Sequence, residues 1–231
     1  MIRTFTVASL VALGLAGAAS AETRTYDVGS FTKIDISAGL DLNFEGGSSQ
    51  EITVENRNGD FSDIEVVVKG DTLVLKRVKN NWGWGRKRER YGITVSAPVI
   101  SGVEASSGSD VAGRGMTGES IFIDVSSGAD VTVSGVEGGT VTIETSSGSD
   151  ASVSGQCSRV RADASSGSDL DARDLICENG EADASSGSDI SIHATGSVNA
   201  DASSGADVDV YGGPTDVNTD KSSGGSVSIR G

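Results

Sequence analysis

The chain has 231 residues, a formal net charge of −15, and only 36% hydrophobic and 4% aromatic residues. That is enough for one domain with a thin core of Val, Ile, Leu and Ala, and too little for a broad globular interior. The charge excludes nucleic acid and anionic surfaces as partners held by net attraction, and it favours solubility or cation binding.

Residues 1–21, MIRTFTVASLVALGLAGAASA, begin with basic Arg3, continue with an apolar run and end at Ala19-Ser20-Ala21. This is the pattern of a cleavable secretory signal. A membrane anchor fits less well, because the run is short and rich in Gly and Ala, and nothing downstream is apolar enough to span a bilayer. No Cys stands at the expected cleavage point, so a lipid anchor is not indicated. The expected location is therefore exported: periplasm, cell surface or secreted.

Residues 22–100 form the first part of the expected mature domain, 22–231. KIDISAGLDLNF contains a degenerate copy of the unit that recurs in residues 101–231, with Ser37-Ala38-Gly39-Leu40-Asp41 at its corner. After it come the longer alternating segments EITVEN, DIEVVVKGDTLVL and GITVSAP, with a tight turn expected at Gly70-Asp71. These predict a section of sheet, partly hairpin, that covers one end of the repeat section, as an open strand edge requires.

Residues 101–231 repeat Ser-Ser-Gly-Ser/Ala-Asp with first serines at 106, 126, 146, 165, 185, 203 and 222, a spacing of 18 to 20 residues. Such a period marks a solenoid. Positions one, three and five before that serine are apolar or small, as in Val125, Ile123 and Ile121. Positions five and seven after it are too, as in Val131 and Val133. Alternation on both sides means strand, corner, strand, with one face inward. The glycines at 108, 128, 148, 167, 187, 205 and 224 hold the corner, where a strained backbone is expected. Stacked coils about 4.8 Å apart would make a rod roughly 30 Å long. The fold class predicted is all-β: a single-stranded parallel β-helix of about 20 residues per coil, right-handed by the general crossover preference.

The sequence F-x-x-I-x-I-x-x-G-L-x-L at 31–42, VVKGDTLVL, ITVSAPVISGVEASSGSDV and the trailing SSGSD coils resemble the bacterial GIN-domain family of putative autotransporter adhesin heads. The resemblance spans roughly residues 24–231. It implies an exported right-handed parallel β-helix and supplies no catalytic residue.

Two acidic columns emerge when the repeats are aligned. Two before the first serine stand residues 104, 124, 144, 163, 183, 201 and 220; four after it stand residues 110, 130, 150, 169, 189 and 207. Stacked carboxylates repel by roughly 0.9 kcal/mol per neighbouring pair even in water. Corner Asp side chains could offset this by accepting backbone and serine hydrogen bonds, or a row of Ca2+ ions could do so. The local reading is the stronger, and no cofactor is expected.

The segment KRVKNNWGWGRKRERY, 76–91, departs from the acidic background with Lys76, Arg77, Lys79, Arg86, Lys87, Arg88 and Arg90 beside Trp82 and Trp84. As a contact surface it suits an anionic glycan, lipopolysaccharide or an acidic envelope protein. Equally, it suits a hairpin loop whose rings pack on the coil and whose cations face the acidic columns. Cys157 and Cys177 each lie eight residues before the next SSG, which puts them in one column one coil apart. A disulfide is favoured over two free thiols, given an oxidising compartment. His193, the sole histidine, reads as a surface residue, since the repeated Ser and Asp recur without one.

The function expected is a non-catalytic adhesion or surface-display module of the bacterial envelope. The alternatives are a self-associating envelope scaffold, permitted by a C-terminal GGSVSIRG without an evident cap, and a carbohydrate-active β-helix enzyme.

Overall fold

The computed structural model describes residues 21–78 and 89–231; residues 1–20 of the expected leader lie outside it. Strands β1 to β17 belong to one hydrogen-bonded sheet wound into a β-solenoid, and no helix occurs among the described residues. It follows that no described helix is long and apolar enough to cross a membrane.

The repeat folds as its spacing predicts. Strands β10 (Thr117–Ser126), β11 (Asp130–Ser146), β12 (Asp150–Ser165), β13 (Asp169–Ala184) and β14 (Asp189–Ala202) run parallel, each one coil beyond the last. Like positions stack: Asp130 pairs with Asp150 and Ile143 with Ala162. Inward files such as Val131, Ala151, Leu170 and Ile190 are at most 3% exposed, so each coil closes the face its neighbour cannot bury alone. The files also compensate for size from rung to rung. Gly113 leaves room for the Phe44 ring, which occupies the space a Cβ there would need.

At the corners the glycine is not alone in the left-handed region. In all seven repeats the second serine shares it, with φ between 49° and 60°, and Ala38 does so in the degenerate copy. Positive φ at both central residues is the pattern of a type I′ turn, closed by Ala129 N–H to Ser126 O at 3.3 Å and Ala206 N–H to Ser203 O at 3.1 Å. A non-glycine residue there costs about 1–2 kcal/mol. Corner-to-corner backbone bonds offset it, as from Gly148 N–H to Ser166 O and Gly167 N–H to Ser186 O, both 3.2 Å.

The fourth corner residue points into the rod, and Ser109, Ala129, Ser149, Ser168, Ser188 and Ala206 are all fully buried. In the degenerate copy the larger Leu40 takes this position and is equally buried. The buried hydroxyls are satisfied: Ser149 donates to Val125 O at 2.7 Å and Ser188 to Ala164 O at 2.8 Å.

The N-terminal section covers one end, in an order the sequence did not suggest. Strand β2 (Lys33–Ile36) pairs with β6 (Thr72–Arg77) on one edge and β8 (Gly102–Ala105) on the other. Strand β3 (Asp41–Gly46) lies likewise between β7 (Tyr91–Ala97) and β9 (Asp110–Arg114). The degenerate coil is therefore the second rung, and β6 with β7 make the outer one. Beyond them the pairing turns antiparallel. Strand β5 (Ile64–Lys69) joins β6 through a two-residue turn at Gly70-Asp71, while β4 (Glu51–Asn56) pairs with β7 and β1 (Glu22–Thr25) with β4.

At the far end, β15 (Asp207–Tyr211) stacks on β14 and carries β17 (Ser226–Ile229). Strand β16 (Asp216–Lys221) stacks directly on β14.

Candidate binding surfaces

The basic segment stands at a defined place. In the outer rung β6 and β7 take the positions that flank SSG elsewhere, with Leu75 beside Ile36 and Gly92 beside Asp41. Between Leu75 and Gly92 the chain thus has residues 76–91 where the neighbouring rung has the four-residue corner 37–40. Lys79, Trp82, Trp84, Arg86, Lys87 and Arg88 lie outside the described residues; Arg90 is exposed.

Both ends of the segment are pinned. The Arg77 side chain, 11% exposed, donates from Nε to Ala38 O at 3.1 Å, from Nη1 to Asp63 Oδ2 at 3.0 Å and from Nη2 to Glu89 O at 2.6 Å. Tyr91 donates to the Asp63 carboxylate and approaches Asp60 O at 2.9 Å, and burial together with Asp63 pushes its hydroxyl pKa far up. Asn56 and Asn58 donate their amides to Glu89 Oε2 at 3.2 and 2.8 Å. Arg77 is therefore a tether. Lys76 faces Glu65 across the hairpin, Nζ to Oε1 3.6 Å.

Both acidic columns are longer than the repeats alone indicated. The first runs from Asp35 through Glu104 and Asp124 to Asp220, the second from Asp41 through Asp110 to Asp207. Burial, followed by neighbouring carboxylates, raises the pKa of Glu104, Glu144, Asp163, Asp130 and Asp189, and burial alone raises that of Asp124. The fourth-position serines Ser149 and Ser188 turn their hydroxyls inward to carbonyls, away from the aspartates. No group of three or more His, Cys, Asp or Glu converges as a metal site among the described residues.

Cys157 and Cys177 are register partners joined by a disulfide, with Cα atoms 4.6 Å apart. His193 lies at the surface, Nδ1 3.1 Å from Arg173 O.

Around that histidine stand residues that the repeat pattern alone does not mark as a group. The guanidinium carbons of Arg173 and Arg230 each lie 5.9 Å from the Tyr211 ring centroid, and the two arginines pair with Asp171 at 2.8 Å and Asp209 at 2.9 Å. The signal was present: residues 173, 193, 211 and 230 all stand eight after the first serine of their repeats. An open depression of about 350 Å³ lies on the outer side of β7, β3 and β9, lined by Asn43, Thr94, Ser96 and Ala112, with the Arg114–Glu45 ion pair (2.8 Å) at its rim.

The family model described as "Putative auto-transporter adhesin, head GIN domain" matches residues 30–214. The chain belongs to this family. Solved structures share the fold at low identity. A putative adhesin from Bacteroides fragilis superposes with a TM-score of 0.82 at 20% identity, over 94% of this chain and 100% of that one. A putative adhesin from Parabacteroides merdae gives 0.70 at 14% identity, covering 93% and 98%. A structure titled putative lipid binding protein, from Parabacteroides distasonis, gives 0.69 at 16% identity, covering 90% and 95%. No curated protein matches the chain. At these identities the neighbours show the shared fold alone.

Proposed function

We propose that this GIN-domain chain is an exported, non-catalytic adhesion or display module of the bacterial envelope, with the basic tryptophan segment 76–91 as its contact. One observation carries the reading: a segment rich in cations and Trp joins β6 to β7 in the outer rung of an acidic rod, and its described flanks are clamped by Arg77, Tyr91 and Glu89. Clamped ends lower the ordering cost that a free loop would meet on binding. With Arg77 and Lys76 engaged in the fold, the contact falls to Lys79, Trp82, Trp84, Arg86, Lys87, Arg88 and Arg90. Their chemistry suits an anionic glycan, lipopolysaccharide phosphates or an acidic envelope protein.

The non-catalytic reading is supported by the uniformity of the outward files, in which each rung presents the carboxylates of the next and acid and base roles would have nothing to separate them. Export is supported by the leader pattern and by a disulfide suited to an oxidising compartment.

The test is a glycan and lipopolysaccharide array probed with residues 22–231, alongside a variant with Lys79, Arg86, Lys87, Arg88 and Arg90 changed to Ser. Binding by the parent that falls at least about tenfold in the variant supports the reading. Equal binding by both assigns the contact elsewhere on the rod.

A further inference from the structure

The rung farthest from the hairpin has two half-used strands. Strand β16 pairs only with β14 and β17 only with β15 among the described residues. Val217 stacks on buried Val198 and Ile229 on buried Val210, yet each is 43% exposed. A strand edge with apolar ends of this kind is a template for pairing with a second copy of the chain.

One inward file changes character at this rung. From Ile36 through Ala105, Val125, Thr145, Ala164 and Ala184 to Ala202, the residue before the first serine is at most 3% exposed and small or apolar. The next position, paired with Ala202, is Lys221. Its side chain leaves β16 and crosses the open mouth of the rod, and Nζ donates to Val227 O of β17 at 3.0 Å.

We infer that Lys221 is an edge guard that keeps the terminal rung from adding a second copy of this chain. A further rung laid over this end would shut an ammonium into a file of Ala, Val and Thr without a carboxylate, or pull it off Val227 O. Because partners across an antiparallel pair face the same side, β16 can meet its own copy in two central registers. A two-fold axis at Asn218 sets Asp216 opposite Asp220 of the copy, like charge against like. An axis at Thr219 sets Lys221 opposite Val217 of the copy. Both are penalised. Inward-pointing charge is a known way for a sheet to blunt an edge, and here it sits on a rung that, among the described residues, has such an edge away from the antiparallel cap.

Sedimentation velocity on residues 22–231, over a roughly hundredfold range of concentration, tests this. The parent and Lys221→Arg should keep one monomeric species. Lys221→Met, which retains length without charge, and Lys221→Ala, which repeats the residue of the preceding rung, should associate, with weight-average mass rising about twofold or more at the upper concentrations. Adding Asp216→Asn and Asp220→Asn should strengthen the association. Folded Met and Ala variants, with parental circular dichroism, that stay monomeric throughout would overturn the inference. So would a parent dimer that is lost when β16 is altered.

Discussion

Cys157 and Cys177 stand at the same point of consecutive coils, 20 residues apart in sequence and 4.6 Å apart at Cα. The bond staples β12 to β13 across a rung boundary at which the backbone register is already set. A loop of this length makes such a bond worth about 3 kcal/mol. Reduction, or the double change Cys157→Ser and Cys177→Ser, is expected to lower the melting temperature by several degrees without altering the circular dichroism of the folded state. Intact mass with and without reductant checks that the bond is formed; an unchanged melting temperature would contradict its structural role.

Arg77 and Lys76 carry the same charge and different duties. Replacing Arg77 with Ala removes three hydrogen bonds and the partner of Asp63, at a cost of about 2–3 kcal/mol. Replacing Lys76 removes an ion pair in partial contact with water, worth under about 1 kcal/mol. Denaturant titration should rank the two in that order. Limited proteolysis should cut the Arg77 variant faster between β6 and β7.

Acid is expected to stabilise this protein over a range where most domains gain nothing. Six carboxyls of the two columns have pKa values raised above their ordinary 3.8 or 4.5. A raised folded-state value means that protonation favours the fold. The contribution is complete below the ordinary value and lost as pH rises through the folded one. Asp71, exposed and lowered by its hydrogen bond with Lys33, acts in the opposite sense and alone. The melting temperature should therefore be higher near about pH 5 than at about pH 7. A lower melting temperature at the more acid pH would show that burial and neighbouring carboxylates do not raise these groups in the folded state.

The corner supplies a graded test. Ser188→Ala reproduces what Ala129 and Ala206 do in other rungs and should cost about 1 kcal/mol, the value of its bond to Ala164 O. Ser188→Leu at the same fully buried site overpacks the rod and should cost more, about 1–3 kcal/mol. Gly187→Ala, with nothing within 4 Å of its added Cβ but φ at 69°, should cost about 1 kcal/mol by backbone strain alone. Equilibrium unfolding of the three variants separates space from strain.

The period of 18 to 20 residues determined much of this protein without coordinates: stacked coils, the buried alternation around each SSG, the carboxylate columns and the pairing of Cys157 with Cys177. All are relations between a residue and its counterpart one repeat along the chain, and regular spacing turns such relations into contacts. Only the tertiary structure decided that the coil at 33–46 lies between rungs built from 72–97 and 102–114, because stacking order depends on which open edge finds a partner, whatever its distance in sequence. The same holds for Arg77, a cation by composition and a tether by position, since Ala38, Asp63 and Glu89 converge on it only when β2, β5 and β7 have assembled. Lys221 keeps to the repeat frame by number. Its bond to Val227 O joins β16 to β17, two strands that only the folded rung brings together.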